Sequence, residues 1–364
     1  MARAVTQALR PEVMVIHAFR SHDMTAYSFE FEFRKPYLVF VGDAGSAPDA
    51  KTAYGLRDWA ADDCLGQFGL PGSTVELGVP HMTPEVAAAA GARSLLVGVA
   101  PMGGRFAPEW EVVLLRAARA GLDIISGLHT PLAEVVGLAE VARARGVTLH
   151  DVRVPRRSFP VANGKRRPGK RLLTVGTDCA LGKKYTALAL TRALRDRGVD
   201  ATFRATGQTG IMICGSGIAI DAVVADFIAG AAECLSPAAA ADHWDIIEGQ
   251  GALFHPAYAG VTLGLLHGAQ PDVLILCHDP ARAHIESMAA FPLPPLDVAA
   301  EIYLHHARLT NPFVRLGGVS LNTARLDDQQ RDRVTRQTAE LLRVPVFDPL
   351  KTPLDAVVNR ILEA

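Results

Sequence analysis

The chain has 364 residues, of which 49% are hydrophobic, 21% charged and 6% aromatic, and it sets 37 basic side chains against 38 acidic ones. This balance excludes a disordered polar protein, which is poorer in apolar residues and further from neutrality. It also offers no basic excess for holding nucleic acid. At about 100–200 residues per domain, the length predicts two domains.

Residues 1–35 lack the apolar core of a secretory signal and are expected to form an irregular extension. No run approaches the roughly 18 apolar residues of a membrane span, so no membrane partner is expected. Cys64, Cys179, Cys214, Cys234 and Cys277 are scattered without a CxxC pair. Such a set reads as reduced thiols of a cytoplasmic protein.

Residues 36–152 alternate strand and helix patterns. Tyr37–Val41, Ser94–Ala100, Leu122–Ile125 and Val147–Val152 read as strands, and Trp110–Ala120 and Ala133–Arg145 as helices stopped by Gly121 and Gly146. Strand–helix–strand repetition predicts a parallel α/β sheet of Rossmann-like type. Without a G-x-G-x-x-G fingerprint, a tightly bound NAD is not expected. Gly42-Asp43, Gly98-Val-Ala100 and Ser126-Gly-Leu-His129 fall at the strand ends where ligands bind in such sheets. Tyr54–Trp59 adds a polar and aromatic cluster that can grip a substrate.

Residues 153–171 hold eight Lys or Arg, no acid, and three prolines. The run reads as a linker, either a solvated connector or a set of arginines that meet an anionic cofactor at the domain junction.

Residues 172–364 begin a second α/β unit. Strands are predicted at Leu172–Val175, Ala201–Ala205, Trp244–Ile247, Val273–Cys277, Arg315–Leu321 and Val344–Phe347. Helices are predicted at Lys183–Arg197, Asp327–Arg343 and from Leu354 onward. Between the first strand and helix lies Gly176-Thr177-Asp178-Cys179-Ala180-Leu181-Gly182-Lys183-Lys184, followed by Tyr185. A Gly-rich turn after a strand and before a helix is the context of a phosphate-binding P-loop. Its N–H groups and the helix dipole face an anion, and Lys183 adds a point charge. The chain holds only seven lysines, and two of them follow Gly182.

With five residues between the glycines, and with Glu248-Gly-Gln-Gly251 and Leu321-Asn322-Thr323 at later strand ends, this half resembles the dethiobiotin synthetase branch of P-loop proteins. It departs at Lys184, where a magnesium-binding Ser or Thr is expected, at Ala180 in place of an acid, and at Arg204-Ala-Thr-Gly-Gln, which lacks that branch's lysine. Such a turn suits phosphate held without a metal. The need for Mg²⁺ stays open at this point, and no metal ligands are assigned.

The wider set comprises Ala205–Gly210, Asp221, Asp226, Phe254-His255-Pro256, Leu265–Gly268, Cys277-His278-Asp279-Pro280 and Arg282. Together with the P-loop and the Rossmann-like half, it resembles a family long filed as a domain of unknown function, some of whose members are D-glutamate N-acetyltransferases. The resemblance implies acetyl transfer from acetyl-CoA to the amine of an acidic amino acid, most naturally D-glutamate. Gly176 through Tyr185 would then hold the cofactor.

Amine acylation needs a base, donors for an oxyanion and cationic anchors for a dicarboxylate. Glu248 is the first choice for the base, with a Walker B-type acid as its other reading. His255 and His278 follow, and each also reads as a core histidine. Lys183 assists the chemistry. Arg204, Gln208, Thr209, Gln250, His278 and Arg282 are the substrate candidates, the arginines reading equally as ordinary ion-pair partners. Asp178 is expected to fix the turn by local hydrogen bonds. Cys179 sits at a helix N-terminus, where a thiolate is favoured. An ATP-dependent ligase or carboxylase and a nucleotide-binding regulator are the alternative readings. A neutral, Ala-rich α/β chain is further expected to self-associate as a homo-oligomer.

Overall fold

The computed structural model describes residues 29–101, 103–155 and 157–363. The expectation of an irregular 1–35 extension falls mostly outside these residues.

The first sheet follows from short β-rich runs separated by glycine-stopped helices. Its elements are β1 (Tyr37–Gly42), α1 (Lys51–Trp59), β2 (Cys64–Gly69), α2 (Pro84–Ala89), β3 (Ser94–Val97), α3 (Pro108–Arg119), β4 (Asp123–Ser126), α4 (Leu138–Arg145) and β5 (Leu149–Asp151). The five strands are parallel in the order β2-β1-β3-β4-β5.

Two expectations need adjusting here. The helix predicted from Ala133 starts only at Leu138, because Gly137 takes a left-handed φ of 76° and breaks the run after a short 3₁₀ turn. Strand β2 carries no alternating or β-branched pattern and was not predicted. Its buried Gln67 side chain bonds the Val75 carbonyl and the Leu77 N–H, tying down a glycine-rich edge.

The second unit comprises β6 (Lys170–Gly176), α5 (Lys183–Asp196), β7 (Ala201–Arg204), α6 (Gln208–Cys214), α7 (Ile228–Leu235), β8 (Trp244–Ile247), α8 (Ala259–Ala269), β9 (Val273–His278), the hairpin β10 (His284–Ile285) and β11 (Met288–Pro292), α9 (Leu296–Arg308), β12 (Arg315–Leu321), α10 (Asp328–Leu342), β13 (Val346–Phe347) and α11 (Asp355–Leu362). Its six-stranded parallel sheet runs β13-β12-β9-β6-β8-β7. Register pairs Gly176 with Cys277, Leu321 with His278, and Arg204 with Ile247. The carboxyl ends of five strands therefore meet at one edge, where parallel sheets bind ligands.

The two sheets do not have wholly separate cores. One buried apolar cluster runs from β1, β3 and β4 into Leu172, Ala187, Leu190, Ala205 and Ile211. A second covers the other face of the later sheet. The linker is anchored rather than solvated over its last third. Arg167 donates to the Ser236 and Gly268 carbonyls, and Arg171 to Ser236 Oγ and to the carbonyls of Arg167, Gly169, Pro168 and Pro237. Arg166 pairs with Asp272. These charges were taken by backbone oxygens and acids because a buried guanidinium must find partners for its donors.

Candidate active site at the P-loop

The turn after β6 is held from several sides. The Asp178 side chain is fully buried; Oδ1 accepts from the Cys179 N–H at 2.6 Å, and Oδ2 from Arg282 and from the Glu286 N–H, both at 2.7 Å. Arg282 also donates to the Cys179 carbonyl at 2.9 Å. Asp178 was expected to fix the turn by local hydrogen bonds; only the one from Cys179 is local, and Arg282 and Glu286 reach it from 104 and 108 residues away. On the floor, the Tyr303 hydroxyl donates to the Gly176 carbonyl at 2.8 Å and accepts from the Leu253 N–H at 3.0 Å. Thr177 Oγ1 lies 2.9 Å from His278 Nδ1. At the tip, Ala180 takes a left-handed φ of 52°, a conformation that costs a non-glycine residue free energy, and Gly182 opens α5 with φ 102°.

Lys183 is buried and donates to the Asp178 carbonyl at 2.7 Å, so its ammonium sits inside the turn. Burial pushes its pKa down. Its stem passes Gly249, where a Cβ would lie 1.7 Å from the Thr174 carbonyl oxygen, so only glycine fits.

Lys184 points the other way, toward the first sheet. A Cβ on Gly55 of α1 would come to 2.7 Å from Lys184 Nζ and 2.6 Å from Thr209 Cγ2. Beside this contact Thr209 Oγ1 lies 2.8 Å from Thr52 Oγ1, and Gln208 Nε2 donates to Thr52 Oγ1 at 3.2 Å. Arg153 donates to Gln208 Oε1 at 2.9 Å and to the Gly127 carbonyl, and pairs with Asp221. Arg153 is thus a linker cation that reaches the junction.

Glu248 follows β8 and is buried. Its Oε2 accepts from the N–H groups of Thr206 and Gly207 at 3.1 and 3.3 Å. A Cβ on Gly210 would meet Oε2 at 2.3 Å, and one on Gly207 would meet Gln250 Nε2 at 2.1 Å. Among the described residues no cation comes within ion-pair distance of Glu248. Burial raises its pKa to about 7, against the pull of Lys184 and the two backbone donors. Burial likewise lowers Lys184 to about 8, against the pull of Glu248. Each group thus shifts the other through its charge, so their two titrations are linked.

The histidines take different places. His255 is buried, its Nδ1 accepts from the Ala257 N–H at 3.1 Å, and its ring lies 4.4 Å from that of Tyr258. A neutral His255 therefore carries its proton on Nε2 and offers a donor. One ligand atom each from Asp178, Cys179 and His255 come within 4.8 Å of one another. The oxygens of Asp178 are already engaged by three donors, so this trio is a polar corner of the turn before it is a metal site. His278 is held neutral by burial, at about 4. The favoured thiolate expected at Cys179 is not what the surroundings produce. Burial raises that thiol and outweighs the pull of Lys183.

Among the other candidates, Leu181 is buried as part of the loop's inner wall, and Tyr185 donates to Asp58 Oδ2 at 2.7 Å. Arg204 pairs with the buried Asp245 at 2.6 Å. The structure thus gathers Lys184, Gln208, Thr209, Glu248 and Gln250, while Arg204 and Arg282 serve carboxylates of the protein. Sequence reasoning missed Thr52 and Lys51, while Gly55 lay within the Tyr54–Trp59 cluster that it singled out. Lys51 lies one turn before Gly55 on the same face of α1; it is exposed, and among the described residues it has no ion pair. The scarcity of lysine was the signal available for Lys51; nothing marked Thr52.

Two family models match the chain, a Rossmann-like domain of unknown function, DUF1611_N, over residues 69–155, and its companion DUF1611_C P-loop domain over residues 160–358. The chain belongs to the DUF1611 family. A crystal structure of a DUF1611 protein from Anabaena variabilis superposes on it with a TM-score of 0.84 at 31% identity, covering 91% of this chain and 100% of that one. Two curated relatives are named D-glutamate N-acetyltransferase. The one from Tritonibacter scottomollicae is 48% identical over 316 residues, covering 87% of this chain and 95% of its own. The one from a Pseudoalteromonas species is 43% identical over 327 residues, covering 90% and 98%. The arrangement of a Rossmann-like half before a P-loop half is thus that of the DUF1611 family, and no helix among the described residues is long and apolar enough to cross a membrane.

Proposed function

We propose that this DUF1611 protein transfers the acetyl group of acetyl-CoA to the amine of D-glutamate, giving N-acetyl-D-glutamate. The names and coverage of its two curated relatives support the reaction and the acceptor. The observation that carries the chemistry is Glu248, a buried carboxylate without an ion pair, raised to about 7, beside the phosphate-binding turn.

The amino-acid ammonium gives a proton to Glu248, and its free amine attacks the thioester carbonyl. A C–N bond forms, the C–S bond breaks, the departing sulfur takes up the proton held by Glu248, and the second proton lost by the nitrogen passes to the freed carboxylate and on to solvent. Lys183, Lys184 and the N–H groups of the turn hold the donor's phosphates. Gln250 and the Gln208 N–H at the start of α6 are the donors assigned to the developing oxyanion, the Gly207 N–H being engaged by Glu248. Thr209 and Gln208 position the acceptor. Lys51, exposed on α1, supplies the cation for its side-chain carboxylate in place of Arg204 and Arg282, which are already paired. All five cysteines are free thiols, in keeping with a cytoplasmic enzyme.

The test is incubation with D-glutamate and acetyl-CoA, following thiol release and the mass of the product, with and without EDTA. Thiol release with D-glutamate that EDTA leaves unchanged is the expected result. No release with any acidic D- or L-amino acid overturns the reading. Phosphate release from ATP that requires Mg²⁺ would replace it with the ligase reading.

A further inference from the structure

At the junction the carboxyl ends of the two sheets come together, the ends at which parallel sheets bind ligands. Gly127 directly follows β4, Gln208 opens α6 after β7, and a Cβ on Gly127 would lie 2.6 Å from that of Gln208. Gln208 is buried, and its side-chain amide is taken at both ends. Oε1 accepts from Arg153 Nε at 2.9 Å, and Nε2 donates at 3.2 Å to Thr52, the neighbour of Lys51. The N–H of Gly207, just before it, is engaged by Glu248. Arg153, Lys51 and Glu248 are thus gathered around residues 207–209.

Arg153 is committed only in part. Its Nε is shared between Gln208 and the Gly127 carbonyl at 2.6 Å, and Nη1 pairs with Asp221. Nη2, with two N–H groups, makes no hydrogen bond among the described residues. Arg204 and Arg282 differ, because the aspartates they serve are buried, whereas the Asp221 side chain is 30% exposed. The cluster is open on the side of His129, which is exposed. It also stands within reach of the base. After burial, the charge of Asp221 adds to the rise in the Glu248 pKa, as that of Arg153 adds to the fall in that of His129.

An α-amino acid carries an ammonium and a carboxylate on one carbon. Arg153 beside Asp221 offers the complementary guanidinium and carboxylate. We propose that Arg153 holds the α-carboxylate of the acceptor through Nη2, with Asp221 facing the ammonium. The proposal rests on the reading of D-glutamate as acceptor, in which Lys51 takes the side-chain carboxylate and the α-carboxylate is otherwise left without a cation. A planar fork of five donors can serve Gln208, Asp221 and a substrate at once.

The experiment compares D-glutamate with 4-aminobutanoate, which is glutamate without its α-carboxylate, as acceptors for the wild type and for Arg153→Gln. The wild type is expected to favour D-glutamate about tenfold to a hundredfold in kcat/KM, the worth of one charged contact. Arg153→Gln is expected to bring the ratio to within about threefold by losing activity on D-glutamate alone. Damage to the junction would lower both acceptors together, so a kept ratio overturns the proposal, as does a wild type that does not discriminate. Should Arg153→Gln not fold, Arg153→Lys, which keeps the charge without the fork, carries the test. A ratio lowered at least about threefold then supports the anchor, and an unchanged one overturns it. Calorimetric titration with D-glutamate, which needs no turnover, separates the anchor from the reaction. Should no thiol be released with any acceptor, binding that Arg153→Gln weakens about tenfold still supports the anchor. No binding to the wild type, or binding that Arg153→Gln leaves unchanged, overturns it.

Discussion

Lys184 and Gly55 belong to different halves of the molecule, yet a methyl group on Gly55 would stand 2.7 Å from the Lys184 ammonium. The lysine tip can retract. Thr209 Cγ2, 2.6 Å from the same point, cannot, because its hydroxyl is tied to Thr52 at 2.8 Å. Gly55→Ala is therefore expected to destabilise the protein by about 1–3 kcal/mol through overpacking. Combining it with Thr209→Ser, which removes that methyl, should restore at least half of the loss. Urea unfolding of the two variants checks this; a double variant no better than Gly55→Ala would show that the contact is not the cause.

Glu248→Gln keeps the shape and an oxygen for the Thr206 and Gly207 N–H groups while removing the proton acceptor. Turnover should fall about 10²–10⁴-fold, the usual worth of a general base, with donor affinity nearly unchanged. Steady-state kinetics with calorimetric binding separates the two effects.

The pH dependence follows from the same pair. Activity should rise as Glu248 loses its proton near 7 and fall as Lys184 loses its own near 8, giving a narrow bell. Because Lys184 holds the Glu248 pKa down, Lys184→Gln should move the acid limb to higher pH. A limb that stays in place in the kcat/KM profile would mean that the two groups do not interact.

Lys183→Ala removes a cation from the interior of the turn. A charged hydrogen bond is worth roughly 1.5–3 kcal/mol, so donor affinity should weaken about tenfold to a hundredfold. Titration with the non-reactive free thiol form of the donor measures it directly.

His278 gives a prediction about stability rather than catalysis. Its folded pKa of about 4 lies below the ordinary 6.5, so the unfolded chain binds the proton first. The stability its neutral form contributes is complete above about pH 6.5 and is lost as pH falls toward 4. The loss should amount to roughly 2–3 kcal/mol. His278→Gln should flatten that part of the stability–pH curve; an unchanged slope assigns the proton uptake elsewhere.

Much of this was legible from residue patterns. The strand–turn–helix around Gly176–Lys184 emerged as read because an unbroken β-rich segment runs into a clear stop, and Arg315–Leu321 emerged as read even though Gly317 and Gly318 interrupt it with a register shift. Glu248 was legible as the residue ending a buried strand. Strand β2 was not, since Gly66, Gln67 and Gly69 carry no periodic signal and are held by pairing with β1 and by the Gln67 side-chain amide. The fate of Arg204 and Arg282 was equally hidden. Both find buried aspartates 41 and 104 residues distant, and sequence spacing says nothing of such partners. The meeting of Gly55 and Thr52 with α6 depends on how two sheets dock, a matter decided by the apolar cluster they share rather than by any local rule.

Asp178, clasped by Arg282 and two backbone N–H groups, lets the protein's own groups hold the turn's form. A loop that must be shaped by its guest spends part of the guest's affinity on ordering; a ready mould keeps that share. An anion reaching this protein meets such a mould. A tighter grip on an anion than the same turn could manage with Asp178 removed is what this clasp builds in.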